Sequence, residues 1–267
     1  MSAPEPCNQF NECTLPVSGG HGEVSELSIL GSGAAGAGAR FLLLSAGEQA
    51  NAALGDPLAC ARTLLARSGG AMRFAYPRWT QMPGWYADRD DLGRSPESDL
   101  LSVAQQWTQL DDAPLYLVGF SKSGYAALSI LARHWRTGIF AGAVAWDAPL
   151  MLKSLVRNSM VASYGTQSAF ARHCLLDLVR ELSEAVRTSH VGLVLDGYVA
   201  WGVQMRAFHN LLVGARTDHS YGETRRNRHC WDIAWMEGCI SMLAQRGPRG
   251  RAGIDACGEG AGGAATG

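Results

Sequence analysis

At 267 residues the chain is long enough to bury the core of one large α/β domain. Its formal net charge of −1 offers no electrostatic attraction for nucleic acid or an acidic membrane surface, and no apolar run reaches the length of a membrane-spanning helix. The seven cysteines contain no C-x-x-C pair, so neither a zinc knuckle nor a dithiol redox motif is indicated.

Met1-Ser-Ala-Pro-Glu-Pro6 lacks the basic start and apolar core of a secretory signal, so the default expectation is a cytoplasmic protein. Residues 1–22 are rich in Pro, Ser, Gly and Asn and read as irregular; Cys7 and Cys13 fall there and are not expected to pair. Leu27–Leu30 is a possible strand. The glycines that follow, Gly31-Ser-Gly33-Ala-Ala-Gly36, match a dinucleotide fingerprint in letters alone. That motif needs a full helix after the glycines, so that a pyrophosphate meets its N-terminus. Here a new apolar strand, Phe41–Leu44, begins too soon, and a flexible hairpin loop is the better reading.

Asp56-Pro57 opens a helix, with Asp as cap and Pro in the first turn. Ala71–Tyr76 is the next strand. Beyond it, the aromatic loop from Pro77-Arg-Trp79 to Trp85-Tyr86 reads first as residues that pack the loop down. Ser95-Pro96 opens a helix with Leu100, Ala104, Trp107 and Leu110 on one face. Leu115–Gly119 is an apolar strand running straight into a helix that carries Tyr125, Leu128 and Leu131. Phe140–Trp146 is a strand ending at Asp147. Phe170, Cys174, Leu178, Leu182 and Val186 stripe one long helix. Val191–Leu195 is a strand ending at Asp196, Thr217–Tyr221 is a short strand, and Trp231–Leu243 is helical. Cys60, Cys174 and Cys239 fall on such helices and are expected as buried thiols. The Gly/Ala-rich stretch 247–267 cannot support a core and reads as a disordered tail. Alternating strands and helices over 23–246 predict a mostly parallel sheet with helices on both faces.

The junction Gly119-Phe-Ser121-Lys-Ser123-Gly124 has the form of a nucleophile elbow. A sharp strand-to-helix turn lifts the Ser121 hydroxyl off the sheet edge, and small residues flank it because the two backbones nearly touch. A serine hydroxyl becomes nucleophilic only when a histidine removes its proton and a carboxylate orients that histidine. The chain supplies both in the order Ser, acid, His. Asp196 is the favoured acid, at a strand end before Gly197; Asp147 is the alternative and Asp218 a third choice. His229, in Arg228-His-Cys-Trp231, is the favoured base and His219 the alternative. His134, His173 and His209 lie in helical patterns and read as surface or satisfied histidines. No close histidine pairing marks a metal site. The oxyanion of a tetrahedral intermediate needs preset N–H donors. Lys122 would supply one, and Ala46 or Gly47, after the Phe41–Leu44 strand, the other. The Lys122 side chain is unusual beside a nucleophile. It reads either as a solvated charge or as an attractor for an anionic substrate group.

The elbow, the Asp196-x-x-Val199 turn and His229-x-Trp231 at the last helix together resemble the α/β-hydrolase family; the histidine motif is similar to that of esterase-D-like carboxylesterases. The resemblance spans Leu27 to Gln245. It implies an eight-stranded, mostly parallel sheet, a Ser-Asp-His triad and no cofactor. It also implies hydrolysis of a small-molecule carboxylic ester, thioester or amide through an acyl-enzyme. Members insert a lid where residues 150–190 fall here, so a small helical cap is expected. Two departures stand out: Ser123 replaces the second glycine of the elbow, and the loop after the oxyanion strand lacks a His-Gly-Gly form. The other expectation is a non-catalytic scaffold of the same fold that binds a ligand.

Overall fold

The computed structural model describes residues 11–16, 24–31, 38–46, 54–68, 72–79, 85–109, 112–197, 199–225 and 228–246. An 8-stranded sheet forms the centre. Its strands are β1 (Asn11–Pro16), β2 (Val24–Gly31), β3 (Arg40–Leu44), β4 (Arg73–Trp79), β5 (Leu115–Phe120), β6 (Gly142–Trp146), β7 (Gly192–Asp196) and β8 (Ser220–Gly222). They lie in the order β1-β2-β4-β3-β5-β6-β7-β8. β1 pairs antiparallel with β2 and β2 antiparallel with β4, while every other neighbouring pair is parallel.

The parallel strands carry apolar residues on both faces, as a doubly covered sheet requires. Leu42, Leu117, Ala145 and Leu195 pack into one core, and Leu43, Val118, Val144 and Val194 into the other. The first core is closed by α2 (Pro96–Thr108), α3 (Lys122–His134), α6 (Leu175–Ser189) and α7 (Gly202–Gly214). The second is closed by α1 (Pro57–Ser68) and α8 (Ile233–Arg246). Asp56 opens α1 as its sequence predicts, its carboxylate accepting the Leu58 N–H at 2.8 Å. The aromatic loop residues Trp79, Trp85 and Tyr86 are buried, with Trp79 edge-on to Tyr86 and Trp85 edge-on to Tyr125.

Some expectations agree with the structure and others need correction. Asn11–Pro16, placed in an irregular segment, is a strand, because its backbone pairs along the length of β2. The strand before the glycine run is antiparallel to β4 and is separated from β3 by it, so no parallel βαβ unit exists there to cradle a dinucleotide. The helix expected through Phe170 and Val186 is interrupted. Over 150–190 the chain forms α4 (Asn158–Tyr164), α5 (Gln167–Ala171) and α6. The Thr166 hydroxyl caps α5 through the Ala169 N–H at 3.1 Å, and Cys174 stands at the N-cap of α6. α6 buries Leu175, Leu182 and Ala185 in the first core. Cys60, Cys174 and Cys239 are buried free thiols. Leu110, most of the glycine run 31–36 and the tail 247–267 lie outside the described residues.

Candidate active site

β5 ends at Phe120 and α3 begins at Lys122, leaving Ser121 alone to turn the chain. Ser121 has φ 56° and ψ −127°, a left-handed conformation that strains a residue bearing a Cβ. The strain is held from both sides. The Ser121 N–H donates to Trp146 O on β6 at 2.9 Å, and its carbonyl accepts the Gly124 N–H at 3.0 Å as the helix opens. The turn is so tight that a Cβ on Gly119 would stand 2.2 Å from the Ser123 carbonyl oxygen. Only glycine fits there.

The departure at Ser123 has a physical explanation. Its side chain is fully buried, with its oxygen 2.7 Å from Leu44 O and 2.8 Å from Phe120 O, so its one proton serves those two carbonyls. The oxygen also accepts the Phe120 N–H at 3.0 Å. Leu44 already pairs with Gly119 across the β3–β5 ladder; the hydroxyl adds a side-chain tie between the elbow and the end of β3 that a glycine could not make. Ser45 and Ala46, which follow Leu44, are buried, and the Tyr86 hydroxyl donates to Ser45 O at 3.1 Å. This is the loop from which an oxyanion donor was expected. The Ser123 tie holds Leu44, two residues before Ala46, against the elbow; Gly47 lies outside the described residues. The backbone N–H of Lys122 is in the first turn of α3, where a helix leaves its donors without intrahelical partners.

The Ser121 hydroxyl donates to Nε2 of His229 at 3.0 Å, and Nδ1 of His229 donates to Oδ2 of Asp147 at 2.6 Å. Residues 121, 229 and 147 thus form one hydrogen-bonded chain at the carboxyl ends of β5 and β6. The Phe120 ring lies 4.4 Å from the imidazole, centroid to centroid, and Trp231 packs against Phe120 in turn. The Trp231 N–H donates to Leu54 O at 2.6 Å, fixing the loop that carries His229 to the entry of α1.

Asp147 is fully buried and also left-handed, at φ 38°. Its Oδ2 accepts the Ala200 N–H at 2.9 Å and its Oδ1 the Trp201 N–H at 2.8 Å, both from the loop entering α7. Burial alone would raise its pKa. The hydrogen bonds from His229, Ala200 and Trp201 outweigh burial and hold the carboxyl below the usual carboxylate range. An ionised Asp147 accepts from Nδ1–H and leaves the Nε2 lone pair facing Ser121. That tautomer is the one a general base needs.

The favoured acid, Asp196, is not in this chain of contacts. Its Oδ1 accepts the Thr224 N–H at 2.8 Å and its Oδ2 the Thr224 hydroxyl at 2.6 Å. A Cβ on Gly222 would touch the Asp196 carboxylate, so that side chain leans toward β8. Asp196 acts on the site through its backbone, its carbonyl accepting the Asp147 N–H at 2.7 Å. Gly197 follows because a Cβ there would lie 2.7 Å from the Asp147 Cα. The Asp-Gly pair is therefore a seat for the neighbouring strand end, and of the two aspartates it is the alternative, Asp147, whose carboxylate meets His229. His219 is likewise elsewhere. Its Nδ1 lies 2.7 Å from Thr217 O and its Nε2 2.8 Å from Nδ1 of His209, whose ring stacks on Tyr221. Sequence reasoning missed the supporting donors of Ala200 and Trp201, since backbone N–H groups carry no residue signature. It also missed the Ser123 tie, whose one signal was a serine where glycine is usual.

A second buried polar cluster lies away from this chain of contacts. The carboxylate of Glu97 pairs with Arg133 and with Nε2 of His134, and Nδ1 of His173 lies 3.8 Å from it. Among the described residues, no group of His, Cys, Asp and Glu is arranged to hold a metal ion. Within those residues no helix is long and apolar enough to cross a membrane.

No family model and no curated protein matches this sequence. Solved structures do. A ferulic acid esterase superposes with TM-score 0.64 at 14% identity, over 90% of this chain and 99% of its own. An S-formylglutathione hydrolase from Agrobacterium tumefaciens gives 0.63 at 12% identity, over 91% and 98%. The fluorophosphonate-binding serine hydrolase F of Staphylococcus aureus gives 0.61 at 18%, over 88% and 98%. With this strand order and elbow, the chain has the α/β-hydrolase fold.

Proposed function

We propose that the protein is a serine hydrolase that cleaves a small-molecule carboxylic ester, or a thioester or amide, through an acyl-enzyme. The observation that carries this reading is the continuous hydrogen-bonded chain from the Ser121 hydroxyl through His229 to Asp147. Ser121 Oγ attacks the carbonyl carbon as its proton passes to His229 Nε2. Asp147 stabilises the imidazolium so formed, and the Lys122 N–H with a donor from the Ala46 loop receives the oxyanion. Collapse of the tetrahedral intermediate breaks the bond to the leaving group, which takes the proton from Nε2. Water then gives its proton to the same nitrogen and attacks the acyl carbon. The second tetrahedral intermediate collapses, the bond to Ser121 breaks, and Oγ recovers the proton. The likeness to esterases and serine hydrolases in fold supports the reading without specifying the substrate. A fluorophosphonate probe tests it: wild type is labelled and Ser121→Ala is not. Equal labelling of both, or none of wild type, refutes it.

A further inference from the structure

We propose that Lys122 selects substrates that carry an anionic group, a carboxylate in the simplest case, close to the scissile carbonyl. The inference rests on the hydrolase reading above and deepens it. Lys122 is joined to Ser121 by a peptide bond, so their Cα atoms are about 3.8 Å apart. Its flexible four-carbon stem confines the ammonium to within about 10 Å of the Ser121 Cα.

The charge is poorly accommodated in the free protein. Lys122 is half-buried, and burial alone holds its ammonium below the usual lysine range. It opens α3, at the helix end where the macrodipole is positive and repels a cation. The first turn of α3 contains no acidic residue to offset this. Among the described residues, no carboxylate, hydrogen-bond acceptor or aromatic face pairs with the ammonium. The carboxylate of Asp147 is already engaged by three donors, His229, Ala200 and Trp201. A cation held next to a nucleophile, partly desolvated and without a counter-ion among the described residues, is completed by an anion brought from outside. A substrate carboxylate supplies that charge. A charge-assisted hydrogen bond in a partly dry site is worth more than in open solvent.

The test compares matched esters. For an acyl-side anion the pair is the p-nitrophenyl monoester of succinate against p-nitrophenyl butyrate; for an alcohol-side anion it is 4-carboxyphenyl butyrate against phenyl butyrate. Wild type is expected to favour the anionic member of one pair in kcat/KM. Lys122→Met should lower that anionic-to-neutral ratio by about tenfold or more, and Lys122→Arg should retain most of it. Both variants keep the backbone N–H, and thermal unfolding reports whether they fold. A ratio near one for both pairs in wild type overturns the inference, as does an equal loss on both members of a pair in Lys122→Met. In either case continued fluorophosphonate labelling of Ser121 leaves the hydrolase reading standing. Absence of wild-type labelling removes both.

Discussion

Replacing Asp147 by Asn tests the acid assignment most directly. The carboxylate receives three donors: His229 Nδ1–H and Ala200 N–H on Oδ2, and Trp201 N–H on Oδ1. An amide has one oxygen, so one donor must lose its acceptor. If the NH2 group occupies the Oδ2 position, it donates to His229 Nδ1. The imidazole then turns to the tautomer with its proton on Nε2, and Ser121 has no base. Loss of the correct tautomer in Ser-His-Asp triads lowers kcat by about 10⁴-fold. At about 1.4 kcal/mol per tenfold, that is about 5 kcal/mol of transition-state stabilisation. The buried donor left facing Ala200 or Trp201 costs about 1–3 kcal/mol of stability, which thermal unfolding reads separately. Asp196→Asn serves as the comparison. Its carboxylate contacts Thr224 and not His229, so activity should stay within about tenfold of wild type. The assay is kcat/KM on p-nitrophenyl butyrate together with the rate of fluorophosphonate labelling. A folded Asp147→Asn near wild-type activity, with Asp196→Asn down by three or more orders of magnitude, would refute the placement of the acid.

Ser123→Ala removes a fully buried hydroxyl that serves Leu44 O, Phe120 O and the Phe120 N–H. It should destabilise the fold by about 1–3 kcal/mol in urea titrations; an unchanged urea midpoint would show that the tie between elbow and β3 contributes nothing. His173 is pushed down to about 4, chiefly by burial and then by Arg133, against the opposing pull of Glu97. The folded state therefore holds it neutral while the unfolded chain protonates it near pH 6.5. Stability is full above that pH and should fall by about 3 kcal/mol as pH drops through the window to about 4. Glu97, whose pKa burial would raise but whose partners lower it, adds its own loss only below the ordinary carboxylate range. Urea midpoints at pH 7 and pH 5 should therefore converge in His173→Phe; an undiminished slope in that variant would remove His173 as the cause.

Much of the architecture was legible because its signals are local. Continuous burial along β3, β5, β6 and β7 follows from apolar runs bounded by turns, and the Gly119–Gly124 junction reads as an elbow from the sizes of adjacent residues. His229 was legible from its place before the last helix. β1 was not, since a short edge strand of mixed polarity forms only when β2 is there to pair with it. The break between α5 and α6 was hidden because the apolar stripe continues across it, and only the short turn from Arg172 to Cys174 ends one helix and starts the next.

What sequence alone determined is the identity of the groups: a serine on a tight corner, a histidine before a terminal helix, and two aspartates at the ends of late strands. Tertiary structure decided between those aspartates. They lie at neighbouring strand ends, Trp146 in register with Asp196, and share a backbone hydrogen bond. Yet one carboxylate meets an imidazole 82 positions away and the other a threonine 28 positions away. The direction each carboxylate takes depends on a backbone torsion and on donors from a loop packed against it after folding. That packing joins residues far apart in the chain, so no local pattern around either aspartate records it.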